Sequence, residues 1–296
     1  MKEIAIISGK GGTGKTVVAG CLAALAEKKV MVDCDVDAAN LQYLLHPEIQ
    51  KEEVFQGGKT AVIDQERCIQ CGKCSSFCRF EAIKKVEDNE GRIEKVEVDP
   101  LNCEGCGVCA YICPVDAVQL FPQETGKIFI SETPYGPLVH AQLKPPGENS
   151  GKLVSFVREK AQELAERREV DFVIIDGPPG IGCPVISSIS GVDLVLIITE
   201  PTTSGISDLE RVLQLVKYFK TSSAICINKC DLNSQNVILI EEIAAKYDSP
   251  VLGSIPFGDF VIDSVVAGLP YVDYRNDETA ALIKNFWFKL REVFPE

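Results

Sequence analysis

Ile4-Ala5-Ile6-Ile7-Ser8-Gly9-Lys10-Gly11-Gly12-Thr13-Gly14-Lys15-Thr16 is an apolar run that breaks into a glycine-rich turn. An alanine- and leucine-rich helical stretch follows at 17–28. Residues 9–16 fit G-x-x-x-x-G-K-[ST]. In that pattern glycines let successive backbone N–H groups converge on phosphate oxygens. The positive end of the following helix faces the same anion. The expected nucleotide contacts are therefore Gly11, Gly12, Thr13, Gly14, Lys15 and Thr16. Lys15 reaches for the β- and γ-phosphates and the Thr16 hydroxyl for Mg²⁺. A strand before and a helix after are the context this motif requires.

The chain of 296 residues allows one large domain or two smaller ones. A formal net charge of −13 argues against non-specific nucleic-acid binding. No apolar run approaches the length of a membrane span. The N-terminus enters a strand with no signal-peptide pattern, so a cytoplasmic location is expected. Thirteen cysteines in that setting point to metal or redox chemistry, not to a disulfide framework.

Eight of those cysteines form an internal repeat. Cys68-x-x-Cys71-x-x-Cys74-x-x-x-Cys78 is followed by Cys103-x-x-Cys106-x-x-Cys109-x-x-x-Cys113-Pro114, and similar tails, FEAI and VDAV, close the two runs. Thiolates are soft ligands that suit iron. A tight C-x₂-C-x₂-C loop wraps three corners of a [4Fe–4S] cube, and in two-cluster bacterial ferredoxins the fourth cysteine of each run serves the other cluster. Cys68, Cys71, Cys74 and Cys113 are therefore assigned to one cluster, and Cys103, Cys106, Cys109 and Cys78 to a second. Zinc would favour paired C-x₂-C knuckles with longer gaps. Arg79 stands where a proline usually follows the fourth cysteine. Between the runs, Asn89-Glu90-Gly91 separates alternating segments at 84–98 and predicts a hairpin.

Elsewhere strands and helices alternate. Strands are predicted at 30–35, 59–64, 126–143, 171–176, 192–199, 222–228 and 251–256, and helices at 152–168, 204–219 and 277–293. PPGENSGK at 145–152 predicts a turn, and Asn149 and Ser150 either cap the following helix or touch a partner. The strand at 171–176 ends in Asp176, placed to hold Mg²⁺ directly or through water. GPPGIGCP at 177–184 reads as a loop able to take two shapes as a γ-phosphate comes and goes. His140 lies on an alternating stretch and is expected to be packed. Cys21, Cys34, Cys226 and Cys230 lack ligand spacing and read as core or near-core thiols. In the last helix, Leu282, Ile283, Phe286, Trp287, Leu290 and Phe294 form one stripe, expected to pack in the core and not on a membrane.

The second lysine of K-G-G-T-G-K-T, Lys10, resembles the signature of the deviant Walker A class. That class includes MinD and ParA ATPases, Mrp-type iron–sulfur carriers and the nitrogenase iron protein. The resemblance implies an ATP-dependent sandwich dimer in which Lys10 reaches the partner's phosphates; otherwise it is a solvated loop cation. It implies that Asp35, after the second strand, orients the attacking water, and that Asn228 bonds adenine. Asp33 and Asp37 stay open between a functional role and that of capping or solvated acids. Asn228-Lys229-Cys230-Asp231 also resembles the guanine-reading N-K-x-D of GTPases, which keeps GTP as a second nucleotide. Cys183 stands at the offset of a cluster ligand in the nitrogenase iron protein, but no cysteine between Cys113 and Cys183 supplies the second ligand. The remaining readings of Cys183 are a loop thiol that meets a partner's metal group and a buried thiol.

The expected fold is α/β: a doubly wound, mainly parallel P-loop NTPase (1–63 and 122–296) with an inserted small α+β two-cluster ferredoxin domain at 64–121. The resemblance implies an ATPase whose catalytic residues are Lys10, Lys15 and Asp35. Its expected cofactors are ATP, Mg²⁺ (through Thr16 and Asp176) and two [4Fe–4S] clusters. Its expected partners are a second copy or a related ATPase, and a redox or metal-cluster client protein, with no nucleic acid and no membrane. Hydrolysis would then drive electron transfer or cluster delivery. The alternative is a positioning ATPase of cell division with the ferredoxin as redox sensor or scaffold.

Overall fold

A computed structural model describes residues 1–144 and 150–294. Glu148 and Asn149, part of the expected cap and turn, lie outside the described residues. The chain divides into two compact units.

The first unit comprises Met1–Glu53, Ile128–Gln142 and the chain from Ser150 onward. Its early elements are β1 (Lys2–Ser8), α1 (Lys15–Leu25), β2 (Lys29–Asp33), α2 (Gln42–Leu45) and β3 (Glu48–Phe55). The second unit comprises Val54–Lys127 with Leu143 and Lys144. It holds β4 (Gly58–Ile63), α3 (Lys73–Phe77), β5 (Ile83–Glu87), β6 (Ile93–Val98), α4 (Val108–Tyr111) and β7 (Val118–Gln123). The chain continues with β8 (Gly126–Thr133), β9 (Gly136–Leu143), α5 (Ser150–Arg168), β10 (Phe172–Pro179) and α6 (Cys183–Ile189). Then follow β11 (Leu194–Thr199), α7 (Thr203–Tyr218), β12 (Ser222–Asn228), α8 (Ser234–Lys246) and β13 (Val251–Ile255). The last elements are α9 (Asp259–Val266), α10 (Tyr271–Tyr274) and α11 (Glu278–Glu292).

One nine-stranded sheet has the order β13-β12-β11-β1-β10-β2-β9-β8-β3. Every pairing from β13 to β9 is parallel. β1, β10 and β11 are apolar on both faces and buried along their length, as central parallel strands must be. Ile4, Ile6, Met31, Ile174, Leu196 and Cys226 face one way and share a core with α1, α10 and α11. α5 and α6 pack against β2, β10 and β1. Arg158 of α5 joins these parts: it donates to Glu3 Oε2 on β1 at 2.7 Å and to the carbonyls of Ser187 and Ser190 at 2.8 and 2.7 Å. Three of the helices start at a capping side chain. Thr202, Asn233 and Asp277 accept from backbone N–H groups in the first turns of α7, α8 and α11. β3 escaped the sequence reading because its exposed residues show little apolar alternation. The α11 stripe packs as expected, with Ile283, Phe286, Trp287 and Leu290 buried, although Leu282 is partly exposed. No helix among the described residues is long and apolar enough to cross a membrane.

His140 on β9 is buried, 3.1 Å from Ser131 Oγ and stacked near Phe129. Burial pushes its imidazole down to about 4 from 6.5. Between those values the unfolded chain takes up a proton that the folded chain refuses, so stability falls as pH drops through that window. From about pH 7.5 to about pH 5, the wild type should lose about 2 kcal/mol more than His140→Gln. Urea titrations of both proteins at the two pH values check this.

In the second unit β4 pairs antiparallel with β7, and β5 with β6. β5 and β6 are the hairpin expected around Asn89-Glu90-Gly91. The β4–β7 pair holds both cysteine runs between its strands, so this unit starts before residue 64 and ends after 121, the limits that composition suggested. Its small core joins Ala61, Ile63, Ile83, Val96 and Val118 to Cys74, with Cys68, Cys78, Cys103, Cys109 and Cys113 packed against it.

Candidate functional site

The phosphate loop emerges from β1 and enters α1. Gly14 caps α1 with φ 91°, and a Cβ there would lie 2.2 Å from Asn228 Nδ2, so only glycine fits. Above Gly11 and Gly12 nothing lies within 4 Å of where a Cβ would stand, leaving the loop open on that side. Lys15 is 6% exposed. Its Nζ donates to Asp176 Oδ1 at 2.6 Å, reaches Thr16 Oγ1 at 3.4 Å and stands 3.9 Å from Asp35 Oδ2. Burial opposes its charge, but the carboxylates of Asp176, Asp33 and Asp35 more than offset this and hold its pKa above the usual lysine value. The structure thus brings together Lys15, Thr16, Asp35 and Asp176 from α1, the end of β2 and β10.

Asp33 pairs in register with Asp176 on the neighbouring strand. Burial, then the nearby Asp176 carboxylate, pushes its pKa well up. Its two oxygens accept from Asp35 N at 3.0 Å and Leu41 N at 3.1 Å, so Asp33 shapes the loop that carries Asp35. Asp37 is exposed. Two buried polar atoms of the site have no partner, Asp176 Oδ2 and Thr13 Oγ1. Unpaired buried oxygens at such a place need an unseen partner, and a Mg²⁺ with its waters on a nucleotide would supply one.

The N-K-C-D segment lies against the same loop. Asn228 Nδ2 donates to Thr13 O at 2.7 Å, and Lys229 Nζ donates to Gly12 O at 2.9 Å. Asp231 Oδ1 accepts from Phe257 N at 2.7 Å. Asn228 and Lys229 brace the phosphate loop, and the carboxylate expected to read guanine is bonded to backbone. Cys183 is exposed at the start of α6, beside Gly151, so its reading as a buried thiol is overturned. Cys21, Cys34 and Cys226 are buried and Cys230 half-buried, as expected. Burial pushes the thiols of Cys21 and Cys226 up to about 11 and about 12.

The eight cysteines of the second unit gather in two groups. Cys68, Cys71, Cys74 and Cys113 line one small cavity. Cys103, Cys106, Cys109 and Cys78 line another. The repeat is visible in the backbone: Gln70 and Gly105, Gly72 and Gly107, and Glu81 and Asp116 all take positive φ at matching places in the two runs. Gly72 and Gly107 each cap the short helix that carries the third cysteine. Each group also has a backbone N–H aimed at sulfur, from Ala117 to Cys113 at 3.2 Å and from Ala61 to Cys103 at 3.5 Å. Among the described residues no three His, Cys, Asp or Glu side chains surround one point as ligands of a single ion would. A cubane spreads its four thiolates over four irons, and four soft donors around one space suit that arrangement.

The sequence profile of the CobQ/CobB/MinD/ParA nucleotide binding domain matches residues 4–271. The chain belongs to this family. Its MinD/ParA-type fold is similar to that of the septum site-determining protein MinD from Pyrococcus horikoshii, solved with Mg-ADP (TM-score 0.60, 17% identity, 99% of this chain and 96% of that one). An uncharacterized Methanocaldococcus jannaschii protein is 34% identical over 294 residues, 98% of this chain and 96% of its own length. An iron-sulfur cluster carrier protein of Pyrococcus horikoshii is 24% identical over 313 residues, 98% and 87% of the two chains.

In this MinD/ParA-family chain the sequence reading missed Glu200. It follows Thr199 at the end of β11, one residue past the pair Thr199–Ile227 and so beside the strand end that carries Asn228, and that placement was the available signal. Its carboxylate lies between Lys10 Nζ at 2.7 Å and Lys229 Nζ at 2.8 Å. Burial alone would raise its pKa; the two lysines hold it below the ordinary glutamate value.

Proposed function

We propose that this protein is an ATP-driven iron–sulfur switch. ATP binding and hydrolysis in a sandwich dimer are coupled to electron transfer, or to metal-cluster delivery, on a partner protein. The observation that carries this reading is the crossed grouping of the cysteines, in which each cavity takes three thiols from one run and one from the other. The relative named as an iron-sulfur cluster carrier supports it, as does the Mg-ADP held by a MinD of the same fold.

In this reading the loop N–H groups of residues 11–14 cradle the phosphates and Lys15 turns from Asp176 to the β- and γ-oxygens. Thr16 and Asp176 hold Mg²⁺. Asp35 accepts a hydrogen bond from the attacking water and aligns it. Asp35's carboxyl is held above the ordinary value, first by burial, which makes it a readier proton acceptor near neutrality. Lys10 reaches the nucleotide of the second copy. ATP is favoured over GTP because Asp231 is bonded to Phe257 N. Two [4Fe–4S] clusters, on the two sets of four thiolates, supply one-electron transfer. The N–H groups of Ala61 and Ala117 favour the more negative, reduced charge on their sulfurs.

The test is an anaerobic redox titration followed by electron paramagnetic resonance, with and without Mg-ATP, and iron measured on the same sample. About eight irons per chain are expected, with a potential or line shape that moves when nucleotide binds. A chain without iron overturns the reading. Two unchanged clusters beside steady ATP hydrolysis would favour the positioning ATPase instead.

A further inference from the structure

The internal repeat allows the surroundings of the two thiol sets to be compared place by place. Residues 68–85 match 103–120, with the same cysteine spacing and with positive φ at matching positions. The backbone path is shared, so what differs is the side chains around each set. Gly72 and Gly107 are equivalent turn residues, next to Cys71 and Cys106. A Cβ on Gly72 would meet Lys85 Cε at 2.8 Å and Lys85 Nζ at 3.1 Å, whereas a Cβ on Gly107 would meet Leu120 Cδ1 at 3.3 Å. Lys85 and Leu120 hold the same place in the repeat, on β5 and β7. Lys85 Nζ lies 3.5 Å from Ser76 Oγ, which keeps the ammonium over α3. Lys73, the first residue of α3, lines the first cavity, and its counterpart Val108, the first residue of α4, lines the second. The second cavity is lined by Arg79 and Glu104, one charge of each sign, where the first has Pro114 and Ile69. Two lysines therefore stand at the first set, in places that a valine and a leucine occupy at the second. The backbone bonds to sulfur lean the same way, at 3.2 Å from Ala117 N to Cys113 Sγ and 3.5 Å from Ala61 N to Cys103 Sγ. Each set has one exposed thiol, Cys71 or Cys106.

We propose that the two clusters differ in potential, and that Lys73 and Lys85 make the cluster on Cys68, Cys71, Cys74 and Cys113 the easier one to reduce. Reduction adds one negative charge to a cluster, and a fixed cation beside it favours the more negative state. Neither lysine is a ligand; both are positioning residues that act through the charge they hold beside the thiolates. A single electron given up by a low-potential donor comes to rest on the first set, and the second set stays oxidised. This rests on the two-cluster reading above and adds to it an order of filling.

The test is an anaerobic titration of the iron-loaded full chain with dithionite, followed by electron paramagnetic resonance. Wild type should show two separate one-electron waves, and the higher should be the one altered in Cys68→Ala. Lys73→Val with Lys85→Gln should lower the reduction equilibrium of the higher wave about tenfold, about 59 mV, and move the lower wave less. Val108→Lys, which puts a lysine at the matching place of the second run, should raise the lower wave by about threefold in the same equilibrium. Both lysines and Val108 are exposed, so these changes leave the small core intact. Each shift should shrink as salt is added. Coincident waves in wild type, a higher wave that belongs to the second set, or variants that move neither wave overturn the proposal. Iron for fewer than two clusters instead overturns the two-cluster reading on which it rests.

Discussion

Lys15→Ala should abolish measurable ATP turnover, a loss of at least about 10²–10³-fold, and should also destabilise the nucleotide-free protein. The first effect follows from position, since Lys15 is the cation that the open loop aims at the phosphates. The second follows from burial. Lys15 is 6% and Asp176 1% exposed, 2.6 Å apart, and Asp33 lies beside them fully buried. Removing this ammonium leaves the buried acids without compensation, at a cost of about 3–5 kcal/mol. The pH dependence gives the sign. A buried carboxyl whose folded pKa is raised binds more protons than the unfolded chain, so its folded state loses stability as pH rises from the ordinary value toward the raised one. Asp33 is such a group already, and losing the lysine strengthens its shift. The gap between wild type and Lys15→Ala should therefore widen from pH 5 to pH 8. Urea titration without nucleotide, beside a phosphate-release assay, checks both effects. An alanine variant as stable as wild type would show that the acids share a proton already.

Cys113→Ala should remove or convert the cluster at the first cavity, bringing iron toward roughly half and altering the same resonance signal that Cys68→Ala alters. Cys78→Ala should instead match Cys103→Ala. The prediction is specific because chain order suggests the opposite grouping: Cys113 ends the second run, yet it lines the cavity of the first. Four single variants, compared by anaerobic iron assay and resonance spectra, settle it. If Cys113→Ala pairs with Cys103→Ala, the crossed arrangement is wrong.

The phosphate loop was legible because backbone demands and side-chain chemistry coincide there: glycine at positive φ, lysine and threonine at fixed offsets. The cysteine groups were legible because the repeat imposes one backbone path twice. What stayed hidden were pairings across long separations. Lys10 and Glu200 meet across most of the chain, and no local pattern marks either as the other's partner. The N-K-C-D segment shows the converse. Its spacing suggests base recognition, whereas Asn228 and Lys229 are bonded to loop carbonyls. Asp33, ambiguous in sequence, proves to organise its loop because its strand sets it level with Asp176 in a dry interior. The limits of the second unit were misplaced because β4 and β7 carry no unusual composition, and only their pairing assigns them.

The strand order has a consequence for biosynthesis. β10 lies between β1 and β2, yet it is translated after both cysteine runs. While the ribosome is still making residues beyond 127, the stretch Val54–Lys127 has all eight thiols and both of its own small sheets. Lys15 meanwhile waits for Asp176, and β1 and β2 wait for the strand that joins them. Domains fold as units during synthesis. Under the cluster reading proposed above, iron would therefore meet the nascent chain before its nucleotide site exists, at a step that ATP does not yet control.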